Sequence, residues 1–288
     1  MKRTYPLIRM ILVLFIFLIT ACFPPTPEVT PTAIIPTLEP TATAIPTLPA
    51  PTPVAEPPIY LAIIWHQHQP VYFKDPETGI YSKPWVRVHA TKDYVDMAAI
   101  LEDYPDIRAT FNITPSLIRQ IRDLEAGAKD LYWILAEVPA EQLSAEQEQF
   151  ILERFFDTNR RVIARFPRYQ ELLDKRDSGQ AYTTQDFLDL QILFNLAWVD
   201  PDWLEEEPLA SLVAKGLNFV EADKEILFAE HERLIAEVIP VHKRLLEAGQ
   251  IEITMTPFAH PILPLLVSTD LARVAMPDVE LPTVRFQF

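Results

Sequence analysis

A block of prolines and threonines, residues 23–58, sets the strongest limit on what this chain can fold into. The block holds 12 Pro and 8 Thr and contains no Lys, Arg or Gly. Because proline fixes the backbone angle φ and has no N–H to donate, the block cannot form a helix or an interior strand. We expect an extended, semi-stiff linker. The linker separates a short leader, residues 1–22, from a folded part, residues 59–288.

The leader has the composition of a bacterial export signal. Three basic residues precede a continuously apolar run, residues 10–19, which is too short for an ordinary membrane span of about 20 residues. The run leads into Ile-Thr-Ala-Cys, which resembles a lipobox. Cys22 is the only cysteine, so no internal disulfide can form. We therefore expect a lipidated Cys22 that anchors the folded part to a bacterial membrane, outside the cytoplasm.

Short apolar segments that alternate with helical patterns organise the folded part. The predicted strands are residues 59–65, 107–113 and 251–256, the first of them buried. Thr91 is predicted to cap a helix that runs to Tyr104. Thr114 and Pro115 are predicted to begin a helix that runs to Glu125. The order strand, helix, strand, helix favours an α/β fold with parallel pairing.

A long segment between the second and third predicted strands, residues 130–249, has helical patterns throughout. Ser144 and Gln147 resemble a capping box. The clearest helices are residues 184–198 and 222–248, and Gly249 is placed to end the second of them. Three strands neither close a barrel nor complete a doubly wound sheet, so we expect a domain that is cut off rather than finished.

The charge of the chain excludes several classes of partner. The formal net charge is −15, which argues against nucleic acid and against an anionic surface bound through charge. The five glycines are not clustered, so the usual phosphate-binding loops are absent from the sequence. We predict no cofactor and no resident metal.

Imidazole groups recur where predicted strands end, which is the edge of a parallel sheet that carries binding sites. His66 and His68 follow the first strand, two residues apart, and His260 follows the third. The imidazoles are candidates for metal ligands, for hydrogen-bonding groups that hold a hydroxylated ligand, or for structural groups satisfied by local backbone. The zinc interpretation is incomplete because a zinc site needs three or four ligands and His260 is the only evident third imidazole.

Aromatic and acidic side chains also occur near this edge. Aromatic side chains near it, Trp85 among them, are candidate platforms for sugar rings or ordinary core residues. Glu252 lies on the polar face of the third predicted strand and is either a site residue or a structural carboxylate. Glycosidic cleavage usually needs two carboxylates that flank the bond, and the sequence offers no convincing pair.

Three stretches of the folded part together resemble glycoside hydrolase family 57. His66-Gln67-His68-Gln69-Pro70 resembles the family's first conserved region, H-x-H-Q-P. The segments at residues 84–94 (PWVRVHATKDY) and 111–117 (FNITPSL) are similar to text typical of the family. Residues 249–252, followed by residues 260–264, resemble its second conserved region.

The resemblance implies the N-terminal portion of an incomplete (β/α)₇ TIM-like barrel with a long helical insertion, in a family that acts mainly on α-glucans with retention. It implies that His68 contacts sugar hydroxyls and that His260 lines the same cleft. His66 and Glu252 would support them. The family's Glu nucleophile and Asp acid/base come from later regions, so we assign no catalytic residue to this chain. We expect a truncated barrel that lacks its C-terminal half and is inactive alone.

The sequence leaves two alternative functions open. A metal-dependent polysaccharide deacetylase has a related barrel, but its Asp-Asp pair and His-x-x-x-His ligand set are not found near the predicted strand ends. A non-catalytic sugar-binding protein of the cell surface would need only the substrate contacts.

Overall fold

The computed structural model describes residues Ile59–Phe288. The predicted signal, Cys22 and the predicted linker lie outside the described residues. The described part is a mixed α/β structure with a three-stranded parallel sheet and many helices. Within it, no helix is both long and apolar enough to cross a membrane.

The sheet is formed by strands in the order in which they occur in the chain. The strands are β1 (Ile64–Gln67), β2 (Ala109–Ile113) and β3 (Ile251–Thr254). β2 lies in the middle and pairs in parallel with both neighbours. Parallel pairing requires a crossover between consecutive strands, and helices supply both crossovers. The predicted parallel α/β arrangement is therefore confirmed for three strands.

The helices fall into two crossovers and a C-terminal segment. The first crossover contains α1 (Trp85–Ala90), α2 (Asp93–Ala99) and a 3₁₀ turn (Ile100–Asp103). The second begins with α3 (Pro115–Glu125). It continues through α4 (Leu131–Glu137), a 3₁₀ turn (Ala140–Gln142), α5 (Ala145–Arg154), α6 (Arg160–Ile163), α7 (Pro167–Asp177), α8 (Thr184–Ala197), α9 (Pro201–Leu204), α10 (Leu209–Lys215) and α11 (Glu221–Glu247). The C-terminal segment holds α12 (Leu263–Val267), a 3₁₀ turn (Thr269–Leu271) and α13 (Ala272–Ala275).

The two faces of the sheet have different surroundings. Ala109, Phe111 and Ile113 alternate along β2 and are buried. Phe111 meets the ring of His242 on α11 at 4.9 Å between centroids, so this face of the sheet looks toward the helices. The long α11 also packs against α2, α3, α8 and β3. The hydrophobic core therefore lies between the sheet and the helical layer.

Several helix ends follow the signals in the sequence. Ser144 and Gln147 form the predicted capping box, with the Gln147 N–H donating to Ser144 Oγ at 3.3 Å. Pro115 occupies the first turn of α3, where its missing N–H costs no helical hydrogen bond. Gly249 has φ of +69° and follows α11 directly after its cap residue, in the left-handed region that glycine enters without strain. These predictions are confirmed.

Two sequence predictions were wrong in detail. The first strand begins at Ile64 rather than residue 59. Its surroundings are also open, because Ile59 is 98% exposed and Ile64 65%. β1 pairs with β2 on one side only, so its apolar side chains lack a second neighbour. Thr91 does not begin a helix: it follows the last residue of α1, where its hydroxyl donates to the carbonyl oxygens of Val88 and Trp198.

Candidate functional site

Three imidazole rings meet at the carboxyl end of the sheet. The ring centroids of His66 and His260 are 4.8 Å apart, those of His68 and His260 are 5.1 Å apart, and those of His66 and His68 are 5.8 Å apart. His260 meets both of the others edge to face. Residues separated by about 190 positions in the chain therefore share one site.

The local backbone explains how the three rings converge. His66 lies within β1 and His68 directly after it, so both project to the same side of the extended chain. His260 lies in the loop after β3 with φ of +52°, a left-handed conformation that is uncommon for residues other than glycine. The same loop is tied to the start of α3, because the Ser116 N–H donates to the Phe258 carbonyl oxygen at 3.1 Å.

A row of hydrogen bonds crosses the sheet and holds His66. The register places His66 opposite Asn112 and Asn112 opposite Thr254. Nδ1 of His66 donates to Oδ1 of Asn112 at 2.6 Å, and Nδ2 of Asn112 donates to Oγ1 of Thr254 at 3.1 Å. Because Nδ1 is the donor, Nε2 of a neutral His66 ring is a hydrogen-bond acceptor. The row fixes both the orientation and the tautomer of this imidazole.

The neighbourhood of His68 keeps its ring neutral. Burial lowers the pKa of His68, and the nearby rings of His260 and His66 lower it further. Near neutral pH the ring thus offers one N–H donor and one acceptor nitrogen. A neutral donor–acceptor pair is suited to a hydroxyl group, which also donates and accepts.

Gln69 fixes the loop that carries His68. Its Nε2 donates to the phenolic oxygen of Tyr94 at 3.1 Å, and its Oε1 accepts from the Tyr72 hydroxyl at 2.9 Å. Tyr94 lies on α2, so the loop after β1 is fixed to the first crossover. Sequence reasoning did not find this contact, because the partners are 25 residues apart and no short motif joins them.

Glu252 lies away from the three rings. It pairs in register with Thr110, one pleat closer than Thr254 to the amino end of the sheet. There it is exposed and lines a surface groove with Arg108 and Gly249. The structure therefore places Glu252 on the same face as Thr254 and the His66 row, but does not bring it to the imidazoles.

Trp85 lies in an aromatic group of the first crossover. Its ring is half-buried, with the ring of Trp198 at 6.1 Å and that of Tyr132 at 6.4 Å between centroids. The structure thus brings together three of the five predicted substrate-binding residues, His66, His68 and His260. Trp85 and Glu252 stand apart from them.

One acidic cluster in the described residues has its ligand atoms at a spacing that suits a metal ion. Within residues 59–288, only one group of three or more potential ligands has its ligand atoms within 4.8 Å of one another, and it consists of Asp96, Asp200 and Asp202. The nitrogens of the three imidazoles do not converge to that extent. Burial, followed by the charges of Asp200 and Asp202, raises the pKa of Asp96 to about 6. A cluster of acidic side chains does not by itself define a metal site.

Comparison with known proteins gives one match to a family. The family model described as Glycosyl hydrolase family 57 matches residues 62–280. No curated protein matches the chain. Among solved structures, an α-amylase from Thermotoga maritima is 18% identical, with a TM-score of 0.32, over 71% of this chain and 28% of that one. A family 57 branching enzyme from Thermococcus kodakaraensis is 16% identical, with a TM-score of 0.31, over 72% of this chain and 27% of that one. The chain spans less than a third of the length of either structure.

Proposed function

The chain belongs to glycosyl hydrolase family 57, and from this membership we propose that its imidazole cluster, His66, His68 and His260, binds an α-glucan. The observation that carries the proposal is the meeting of the three rings at the carboxyl end of a parallel sheet. Ligands of parallel α/β folds bind at this edge. The family resemblance implies the substrate class, and the exposed or half-buried rings are accessible to its hydroxyl groups.

Two features support a binding role for the cluster in particular. A neutral His68 both donates and accepts, as a sugar hydroxyl does. Asn112 holds His66 with its Nε2 free to accept, so two neighbouring rings present defined hydrogen-bonding groups before a ligand arrives. A pre-organised group binds more tightly because less side-chain freedom is lost on binding.

The proposal assigns substrate contact, not bond cleavage, to these residues. Retaining cleavage needs two carboxyl groups about 5–5.5 Å apart across the glycosidic bond. Among the groups of the described chain that shift the pKa of His68 there is no carboxylate, and Glu252 lies toward the other end of its strand. We propose that the carboxylates for hydrolysis or transfer come from outside residues 59–288, and that these residues alone do not turn over glucan.

Two features of the three-stranded sheet support the proposal that it is part of a larger barrel. Parallel sheets occur almost only with both faces covered, whereas one face of this sheet carries exposed residues such as Ile64 and Thr254. The three strands also follow chain order across the sheet, as the strands of a (β/α) barrel do. We propose that they are part of an incomplete (β/α)₇ barrel whose remaining strands complete the cleft.

For the residues before the folded part we propose export and lipid anchoring. The support is the sequence around Cys22 and the Pro/Thr-rich composition of residues 23–58. Two or more acyl chains on Cys22 would give stable membrane attachment. In a bacterial host that lipidates proteins, the chain should fractionate with membranes, and Cys22→Ala should appear in the soluble extracytoplasmic fraction. Equal membrane recovery of both forms would contradict the anchor.

Calorimetric titration with maltoheptaose tests the binding function. We expect saturable binding that His68→Ala weakens at least about tenfold, because buried hydrogen bonds to the ligand are lost. Arg244→Ala is a matched control, because Arg244 is exposed and pairs with Glu102 and Glu237 on the helical layer. No binding by the parent chain would refute the proposal. Stoichiometric zinc in the purified protein would instead favour the metal-ligand interpretation of the imidazoles.

A further inference from the structure

A second imidazole site lies in the first crossover, and the cluster at the strand ends does not include it. Nδ1 of His89 forms a hydrogen bond of 2.5 Å with Oδ2 of Asp93. Lys92 donates to the other carboxylate oxygen of Asp93 at 3.0 Å. Although burial alone raises the pKa of Asp93, the bonds from His89 and Lys92 hold it below its ordinary value. The carboxylate is therefore ionised and orients the ring.

This orientation leaves the other ring nitrogen available. With Nδ1 donating to Asp93, the Nε2 atom of His89 has no hydrogen-bond partner in the part of the chain that the structure describes. The side chains are 30% exposed for His89 and 32% for Asp93, so a ligand can reach them. Nε2 accepts a hydrogen bond when the ring is neutral and donates one when it is protonated. Either state suits a hydroxyl group.

Aromatic rings flank the histidine. The ring of Trp198 lies edge to face with His89 at 5.4 Å between centroids, and the ring of Tyr94 lies at 5.9 Å. Trp85 precedes His89 by one helical turn on α1 and also contacts Trp198. A few fixed polar groups among apolar and aromatic side chains are what small-molecule sites commonly contain.

The pair is physically connected to the imidazole cluster. Gln69, the residue after His68, donates to Tyr94, which directly follows Asp93 in α2. The same Gln69 accepts from Tyr72. The loop that carries His68 and the helix that carries Asp93 are therefore held together by a direct hydrogen bond.

A purely structural role for His89 would require only some of these contacts. A histidine in the last turn of a short helix can simply pair with a carboxylate four residues later. Such a pair needs only the Nδ1 side of the ring. The open Nε2, the accessibility of the pair and the surrounding rings go beyond what that pairing requires.

We propose that His89, oriented by Asp93 and flanked by Trp85 and Trp198, binds a further sugar unit of the same α-glucan that the imidazole cluster binds. The inference rests on the proposed function, since it assigns a second subsite to that ligand. It predicts that long oligosaccharides use His89 and that short ones, held at the cluster, do not.

The test compares two ligand lengths in the full chain by calorimetry. His89→Ala should weaken maltoheptaose binding by about tenfold and leave maltotriose within about twofold of the parent, since one hydrogen bond is lost only with the longer ligand. His68→Ala should weaken both ligands. Asp93→Asn should give a smaller loss with maltoheptaose alone, because the ring keeps Nε2 but loses its ionised partner.

The outcomes separate the two proposals. If the parent chain binds neither oligosaccharide, the proposed function fails and this inference fails with it. If the parent binds both and His89→Ala changes neither affinity, or lowers both equally, only the second subsite is refuted. A measurement without any variant guards against misfolding: maltoheptaose, and not maltotriose, should shift the ring ¹⁵N resonances of His89. Unshifted resonances at saturation would overturn the proposal.

Discussion

Two groups of histidines in this protein occupy opposite environments. His66, His68 and His260 are exposed or half-buried at the carboxyl end of the sheet, and their rings meet one another. His231 and His242 lie on α11 and are buried in the helical layer. The first group leaves ring nitrogens open to a ligand, whereas packing closes off the second. Placement in the fold, not residue type, separates the proposed binding role of the first group from the buried position of the second.

His231 belongs to a polar network that joins α1, α8 and α11 to Asp130, the residue that caps α4. Arg87 on α1 pairs with Asp130 at 2.6 Å and donates to Asn195 on α8 at 2.8 Å. Its Nη1 also lies 3.3 Å from Nδ1 of His231 on α11. Burial, together with the Arg87 charge, holds the pKa of His231 well below its ordinary value, so the ring is neutral. Arg87, Asp130 and Asn195 bind each other, and Nε2 of His231, which has no hydrogen-bond partner in residues 59–288, is buried out of reach of a ligand.

The largest expected effect on stability comes from replacing Arg87, the buried cation of this network. Arg87→Met should lower the free energy of unfolding by about 3–5 kcal/mol, because Asp130 is left buried without its partner. His68→Ala should cost below about 1 kcal/mol, since that ring is half-buried and has no buried charge to leave behind. Urea denaturation measures both. Similar losses for the two variants would show that the cluster is structural too.

A medium effect is expected from Asp96, whose pKa is raised to about 6 by burial and by the neighbouring carboxylates. Because the folded form holds the proton more tightly than the unfolded chain, this contribution to stability is present below the ordinary value of 3.8 and is lost as pH rises through about 6. Asp96→Asn should match the parent near pH 4 and be more stable by roughly 1 kcal/mol at pH 7, a figure reduced for solvent screening.

Thermal or urea unfolding of both forms across that pH range checks the prediction. The readout is the difference between the variant and the parent, because other groups titrate in both proteins and cancel. A difference that does not grow between pH 4 and pH 7 would contradict the raised pKa. The imidazole cluster should contribute nothing to this difference, which makes the experiment specific to the helical layer.

The smallest effect on stability and affinity should come from replacing Asn112, which holds His66 in place. Asn112→Ala should change stability by less than about 1 kcal/mol, because the residue is only half-buried. It should weaken maltoheptaose binding by about threefold, because His66 loses its fixed tautomer. Asn112→Gln is the control, because it keeps the amide group on a longer side chain. Full affinity of Asn112→Ala would show that the row across the sheet does not position His66.

The sequence predicted much of the local structure. Pro115, the Ser144–Gln147 capping box and Gly249 each mark an element end through groups within a few residues, whereas the predicted hydroxyl cap from Thr114 is not formed. The helix predicted at residues 184–198 is observed as Thr184–Ala197. Such signals act over one helical turn, so the sequence alone carries them. The family resemblance is confirmed by the match over residues 62–280.

Prediction failed where the outcome depends on distant neighbours. Residues 59–63 are apolar enough for a buried strand, yet β1 begins at Ile64 and has a partner on one side only. The sequence places Trp85 near the strand ends, but its ring lies with Tyr132 and Trp198 in the first crossover, and its contact with a sugar stays a prediction. The partnership of His89 with Asp93 was not predicted, although the two residues are only four apart, because α1 ends and α2 begins between them.

The sequence by itself determined the residue types at the strand ends, several of the helix ends and the family, because these depend on short motifs and on periodicity. Only the tertiary structure decided that His66 and His68 meet His260, that Asn112 bridges His66 to Thr254, and that Glu252 stays apart. The reason is physical. Strand register and the pairing of β1 and β3 with β2 fix which side chains become neighbours, and register depends on contacts between segments far apart in the chain.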